Sequence, residues 1–184
     1  ANAILKISTL GEGDPQSSLA GGIGNFRFCA AASCCVPFIP FFPAAKCDSN
    51  ASGISFALGL ENGSLAREIL SKCNGLEDLK HVLKQEFTNA LSPLERISKE
   101  VASKSSFPVK YLGIDSSFNP SLEDEGSIAA AIEQLKEVPC FGGVGTLAAA
   151  AAITTTIQSL PIKLIGYCGL MLPVLEDQRL SELA

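Results

Sequence analysis

Strand-like and helix-like segments alternate along the last third of the sequence, and this alternation is the strongest constraint on the fold. Short apolar runs predict strands at 109–115, 138–141 and 162–166. Helical periodicity predicts helices at 127–137 and 146–159, and a further helix beginning at Glu176. Strands that alternate with helices form parallel sheets through crossover connections. The sequence therefore predicts an α/β fold of parallel βα units.

The first part of the chain predicts a connecting segment followed by the start of the same domain. Residues 1–22 include a loop-like stretch rich in Gly and Ser, and residues 23–184 are assigned to one α/β domain. Small and aromatic residues predict a buried strand at 25–33, and strict alternation predicts a second at 54–60. Helix starts are expected at residues suited to capping, namely Ser64, Asn74 and Ser92.

Charge and composition exclude several kinds of partner. The net charge is -5 and the basic residues are scattered, which argues against binding nucleic acid or an anionic membrane surface. Residues 28–45 are apolar, but three prolines (Pro37, Pro40 and Pro43) are incompatible with a membrane-spanning helix. No signal-peptide pattern is present, and the seven cysteines include no Cys-x-x-Cys pair. These features favour a cytoplasmic protein with reduced cysteines and no membrane partner.

The predicted parallel strands also indicate where a functional site should lie. Loops that follow parallel strands emerge at one edge of the sheet, where ligands bind in such folds. Three loops should meet there, at 115–126, 142–145 and 167–175. The candidate catalytic residues are Asp115, Tyr167 and Glu176, and the candidate ligand-binding residues are Ser116, Gly143, Gly145 and Thr146. We expect one pocket to be lined by Asp115, Ser116, Gly143, Gly145, Thr146 and Tyr167.

The glycine-rich turn has more than one interpretation. Gly143, Gly145 and Ala148 match the spacing of a dinucleotide-binding fingerprint, but the next strand ends without the acidic residue that would hold a ribose. NAD is therefore not predicted, and the absence of a Gly-Lys-Ser/Thr sequence argues against a P-loop nucleotide. Two interpretations stay open: an anion site at the helix N-terminus, or glycines that permit tight packing of the helix against the sheet.

A single histidine limits the chemistry further. His81 lies off the predicted apolar stripe of its helix and is expected at the surface, which argues against Ser–His–Asp catalysis and multi-histidine metal sites. A divalent cation held by carboxylates stays open. Residues 123–125 are all acidic, and this pattern predicts a solvated loop before a helix. Asp115 lies at a predicted strand end and is the stronger functional candidate.

Several segments together resemble a family known as domain of unknown function 711. These segments are 25–28, 40–45, 113–115, 127–128, 141–142, 145–149 and 169–177. The resemblance implies an α/β barrel related to that of pyruvate formate-lyase and no settled reaction. Family members are longer, so the chain is expected to be part of a larger barrel, completed by flanking sequence, a partner chain or self-association. Where the family has Tyr-His, this sequence has Lys46–Cys47.

Three functional hypotheses follow. The first is an enzyme acting on a small anionic metabolite by hydrolysis, elimination or isomerisation, with carboxylates as acids and bases. The second is a non-catalytic ligand-binding or regulatory protein on the same scaffold. The third is a radical enzyme, suggested by the resemblance of Cys34–Cys35 and Gly166 to formate-lyase features, although the arginine expected before such a glycine is absent.

Overall fold

The structure, a computed structural model, describes residues 53–184. The predictions for the connecting segment 1–22, the strand at 25–33, the cysteine pair Cys34–Cys35 and Lys46–Cys47 lie outside the described residues. No helix between residues 53 and 184 is both long enough and apolar enough to cross a membrane.

Two parallel strands form the sheet of the described region. Strand β1 (Ile54–Gly59) pairs with β2 (Val109–Asp115), with Ile54 opposite Val109 and Gly59 opposite Asp115. On the far side of β2, single parallel bridges join Ile114 to Leu164 and Phe118 to Leu170. Strand β2 is therefore central, and the strands predicted at 54–60 and 109–115 are confirmed. The fold is mixed α/β, and the described residues form an open two-stranded sheet.

Five helices connect and cover these strands. Helices α1 (Gly63–Ser71) and α2 (Leu79–Lys104) lie between β1 and β2 in the chain. A 3₁₀ turn (Asp124–Gly126), α3 (Ile128–Ile132) and α4 (Thr146–Ile157) lie between β2 and the Leu164 bridge, and α5 (Gln178–Leu183) comes last. Each parallel connection thus passes through helices, as the alternating sequence pattern predicted.

Helix α2 differs from its prediction in having no interruption. It runs for 26 residues, about 39 Å, through Pro93, so the helix start predicted at Ser92 is wrong. The start predicted at Asn74 is also wrong, because the Asn74 backbone N–H donates to the Asp78 carboxylate and the helix begins at Leu79. One buried stripe, which continues through Leu83, Phe87, Leu91 and Ser98, holds the helix together across the proline.

The boundaries of three other elements also differ from those that the sequence predicted. The strand predicted at 138–141 is wrong: Val138 is buried, but its N–H closes a turn onto the Leu135 carbonyl at 2.8 Å. The helix predicted at 127–137 ends at Ile132, and the strand predicted at 162–166 contributes only the bridge at Leu164. Each segment contains a buried or half-buried apolar residue (Leu135, Val138 and Leu164), and such burial alone does not distinguish a turn from a strand.

The core lies where α2 meets β2 and α4. The rings of Phe87 on α2 and Phe118 after β2 make an edge-to-face contact with centroids 5.3 Å apart. Both side chains are fully buried, as are Ile114 on β2 and Ile153 on α4. This packing fixes the end of β2, and therefore the loop that follows it, against the longest helix.

Pro93 provides a test of how α2 is stabilised. Proline lacks the N–H that would bond the carbonyl four residues earlier, and this costs about 3 kcal/mol in a helix interior. Because Pro93 is exposed, Pro93→Ala should raise the free energy of unfolding by about 1–3 kcal/mol in urea titration. The exposed neighbour Ser92→Ala is the control and should change it by about 0.5 kcal/mol or less. A destabilised Pro93→Ala protein would contradict this account of the helix.

Candidate functional site

The candidate site is the edge at which the parallel strands end. Three chain segments meet there: Asn62 after β1, residues 115–119 at the end of β2, and residues 166–170 after the Leu164 bridge. Asn62 and residues 115–118 are buried, although they are largely polar. Buried polar groups are costly unless they are hydrogen-bonded, so their partners determine what this edge can do.

Asp115 is the centre of the edge and is fully buried. Its Oδ1 accepts hydrogen bonds from the Ser117 N–H at 3.0 Å, the Ser117 hydroxyl at 2.5 Å and the Cys168 N–H at 3.1 Å. Its Oδ2 accepts from the Tyr167 N–H at 2.9 Å. Two consecutive backbone N–H groups thus point at one carboxylate, the arrangement that binds anions in backbone nests. Asp115 therefore fixes the loop after the Leu164 bridge onto the end of β2.

The network extends through Ser117 to the other strand. The Ser117 hydroxyl accepts from the Gly169 N–H at 3.1 Å, which makes Gly169 the third consecutive amide directed at this cluster. The Ser117 carbonyl accepts from Asn62 Nδ2 at 2.8 Å, and the Asn62 N–H donates to Asn119 Oδ1 at 3.3 Å. The ends of all three parallel segments are joined by this one network.

The loop held by Asp115 carries backbone strain. Cys168 has φ 45°, the only positive φ among the described non-glycine residues, and Gly166 has φ 89°. A positive φ at a non-glycine residue costs on the order of 1–3 kcal/mol, and this conformation persists only where surrounding contacts impose it. The Cys168 N–H bond to Asp115 and the Cys168 thiol bond to the Ile165 carbonyl at 3.4 Å are such contacts. The half-buried Tyr167 lies on this constrained loop.

The predicted site residues form two groups, which lie at opposite ends of helix α4. The Ser116 hydroxyl donates to the carbonyl of Ile157, the last residue of α4, at 2.9 Å. Gly143, Gly145 and Thr146 lie at the first turn of the same helix, and its 12 residues span about 18 Å. The structure therefore brings Asp115, Ser116 and the Tyr167 backbone together, and it does not bring the glycine-rich turn to them.

The glycine-rich turn is held by packing at one of its glycines. Gly145 has φ 94°, and a Cβ at this position would lie 2.2 Å from the Glu137 carbonyl oxygen. Gly142 has φ 89° but open space around it, and its N–H donates to the Thr146 hydroxyl at 3.0 Å. Close packing therefore requires a glycine at position 145, but the packing is against the Glu137 carbonyl of the preceding turn and not against the sheet. Anion binding at this turn stays a prediction.

A second buried aspartate joins two helix starts. Asp177 Oδ1 accepts from the Ser127 hydroxyl at 2.6 Å and the Leu180 N–H at 3.1 Å, and Oδ2 accepts from the Ile128 and Ala129 N–H groups at 2.8 and 3.2 Å. Asp177 therefore caps α5 and binds the N-terminus of α3 as well. Its neighbour Glu176 is exposed. The sequence signals, an acid and a serine that each precede a helix, did not indicate that the two would meet.

The other features that the sequence singled out, His81 and the acidic residues 123–125, lie at the protein surface. His81 is exposed as predicted, and residues 123–125 form an exposed acidic loop in which Asp124 pairs with Arg67 at 2.7 Å. Arg67 and Asp124 line an open cleft of about 460 Å³ between α1 and the 3₁₀ turn. No three His, Cys, Asp or Glu side chains in the described region are grouped closely enough to hold a metal ion.

Two titratable groups retain their protons because of burial. Burial, with a smaller contribution from Asp78, raises the pKa of the Cys73 thiol to about 11. Burial, with a smaller contribution from Glu95, raises the pKa of Tyr111 to about 12, and its buried hydroxyl has no hydrogen-bond partner. Neither group is therefore suited to act as a nucleophile or base near neutral pH.

These features define a class: a parallel α/β protein whose strand-end loops are fixed by a buried aspartate. The chain belongs to the family described as Uncharacterised ACR (DUF711), whose sequence profile matches residues 1–184. No curated protein and no solved structure shows a significant match. The family resemblance inferred from the sequence is confirmed, and the relation to formate-lyase barrels stays a prediction.

Replacement of Asp115 tests its structural role. In Asp115→Asn the amide oxygen can replace Oδ1, but the amide NH₂ then faces the Tyr167 N–H, so a donor meets a donor. We expect a loss of about 2 kcal/mol or more in unfolding free energy, measured by urea titration. Asp124→Asn, which removes an exposed charge, should cost about 1 kcal/mol or less. Equal stability of the two variants would contradict the assignment.

The two glycines of the turn before α4 form a matched pair. Gly142→Ala should cost about 1–2 kcal/mol, the strain of a left-handed conformation. Gly145→Ala has the same strain and also an overlap with the Glu137 carbonyl, so we expect a further loss of about 1–3 kcal/mol. Thermal and urea unfolding of both variants measures the difference. A smaller cost for Gly145→Ala than for Gly142→Ala would overturn the packing interpretation.

Proposed function

We propose that this chain is part of an α/β-barrel enzyme that acts on a small anionic metabolite at the strand-end edge. The barrel would continue the two-stranded sheet beyond the described residues. The observation that carries the proposal is the loop Gly166–Gly169, which is held in a strained conformation by Asp115 at the edge where parallel α/β proteins bind ligands. Fixing a loop in advance of binding is how enzymes hold reacting groups in position.

In this proposal Asp115 is a positioning residue. All four of its hydrogen bonds come from the protein, so it has no place in its present geometry for a proton exchanged with substrate. Tyr167 is the candidate acid–base group, because its phenol can donate or accept a proton and its backbone N–H is bound by Asp115. The reaction would be a hydrolysis, an elimination or an isomerisation, in which a proton moves at the reacting centre.

The anionic character of the metabolite rests on the composition of the loops at this edge. The Ser116 and Ser117 hydroxyls and the Gly169 N–H are donors of the type that binds carboxylates and phosphates. Each donates to the protein itself in the present geometry, so an anion would have to take the place of these internal acceptors. The net charge of -5 gives no general attraction for anions, so recognition would depend on these local donors.

The second candidate is a non-catalytic ligand-binding protein on the same scaffold. One observation favours it: Asp115 and Asp177, the two buried carboxylates of the described residues, are both used to hold the backbone in place. A binding protein needs a fixed edge as much as an enzyme does, and it needs no free carboxylate.

Tyr167 and Tyr111, the two tyrosines of the chain, allow the candidates to be separated. Hydroxy acids, oxo acids, dicarboxylates and phosphate monoesters would be screened for binding by ligand-observed NMR, and any that bind followed for conversion. For an enzyme, Tyr167→Phe should lower turnover by about 10²–10⁴-fold, the usual contribution of an acid–base group. Tyr111→Phe is the control, because its buried hydroxyl has no hydrogen-bond partner.

The outcomes are distinct. Conversion that depends on Tyr167 and not on Tyr111 supports the enzyme. Binding without conversion supports the second candidate, and conversion unaffected by Tyr167→Phe removes Tyr167 from the mechanism. A screen in which no anion binds contradicts the proposed class of metabolite.

A further inference from the structure

Helix α4 is apolar on its outer side as well as on its inner side. The inner residues Ala149, Ile153 and Ile157 are buried. On the outer side Leu147 is 84% exposed, and Val144, in the turn before the helix, is 90% exposed. Helices at the surface of soluble proteins normally direct charged residues outward, and helices that are apolar all round are normally buried. The outer side of α4 therefore has the composition of an interface.

The outer residues of α4 form one continuous face centred on Ala151. With 3.6 residues per turn, a group of positions lies within about 60° of Ala151 around the helix axis. These positions, which we call the α4 outer face, are Leu147, Ala148, Ala151, Thr154, Thr155 and Gln158. All are exposed except Thr154, which is half-buried, and none is charged. The Thr155 hydroxyl donates to the Ala151 carbonyl at 2.7 Å, so part of the small polarity of the face is used within the helix.

The α4 outer face belongs to a part of the chain without charge. Residues 138–162 include no Lys, Arg, Asp or Glu, although the chain as a whole has a net charge of -5. Other exposed helix surfaces in the described region are charged, for example at Glu68 on α1 and at Lys99 and Glu100 on α2. Two copies of an acidic protein repel each other over most of their surfaces. Two α4 outer faces can meet without bringing charges of the same sign together.

The side chains of this face are complementary in size under a twofold axis through Ala151. In an antiparallel pair of helices with Ala151 opposite Ala151, Leu147 of each copy lies opposite Thr155 of the other. Ala148 then lies opposite Thr154. The largest side chain at one end of the face thus meets a smaller one at the other end. The small residues at the centre let the helix axes approach to about 8 Å, the close end of the range for packed helices.

We infer that the α4 outer face is a dimer interface, at which α4 packs antiparallel against α4 of a second copy of this chain. A different protein could also cover an apolar helix, but it would not require large and small side chains to be arranged about Ala151. The 12-residue helix offers a contact of about 18 Å by 10 Å, well below the roughly 800 Å² per partner of a stable complex. Association through this face is therefore weak. The inference does not depend on the proposed function.

Sedimentation equilibrium of the intact 184-residue chain tests the self-association. Between about 1 and 500 µM we expect a reversible monomer–dimer equilibrium with a Kd of about 10–100 µM, as suits a small contact. A chain that stays monomeric at about 500 µM would overturn the inference. The face would then be covered by residues outside the described range or by a different protein.

Ala151→Glu places two like charges on the twofold axis and should raise the Kd at least about 10-fold. Ala151 is exposed and glutamate is a good helix former, so the variant should fold normally, which circular dichroism and urea unfolding check. Val101→Glu is the control, because Val101 is also apolar, on a helix and 57% exposed, but lies on α2. It should change the Kd by less than about 2-fold. An equal loss of association in both variants would indicate general apolar adhesion and contradict the assignment.

A mixture of two variants tests the twofold arrangement itself. Ala151→Arg alone should weaken association as Ala151→Glu does, because like charges again face each other. In an equimolar mixture the two unlike charges meet across the axis, and we expect association at least about 10-fold tighter than in either variant alone. A mixture that associates no better than its components would show that Ala151 does not face Ala151 of the second copy, and the antiparallel pairing would be wrong.

Discussion

The fold of the described region depends on the hydrogen bonds between the Asp115 carboxylate and the loop after Leu164. Bonds to an ionised acceptor are stronger than neutral ones, and a buried carboxylate that lost them would cost several kcal/mol. Asp115 accepts from residues on both sides of this contact, Ser117 on its own loop and Tyr167 and Cys168 on the other. Asp115 thus helps to impose the loop conformation, including the positive φ of Cys168, together with the bonds of the Cys168 thiol to the Ile165 carbonyl and of the Gly169 N–H to Ser117.

Asp177 acts in the same way at a second position. Its carboxylate receives the first backbone N–H groups of α3 and the Leu180 N–H of α5, two short helices that would be marginal alone. In both cases an acid is fully buried because backbone amides surround it, and in both cases segments about 50 residues apart are joined. An acid at a strand end is thus a weak indication of catalysis until its hydrogen-bond partners are known.

The separation of the predicted site into two places also has a physical cause. Parallel βα units bring all strand-following loops to one edge only if each predicted strand exists. Residues 138–141 form no strand, so the glycine-rich segment follows none and begins α4 at the end remote from Ser116. Gly145 is explained by its contact with the Glu137 carbonyl. The edge that remains consists of the β1, β2 and Leu164 segments.

The sequence by itself determined the α/β class, strands β1 and β2, the long helical stretches, the surface position of His81 and the family. Local periodicity and hydrophobic alternation carry that information, because they depend on neighbours within a few residues. The tertiary structure decided the continuity of α2 through Pro93, the turn at Val138 and the roles of Asp115 and Asp177. These features depend on contacts between distant segments, and a carboxylate has the same appearance in a sequence whether it binds a substrate or the backbone.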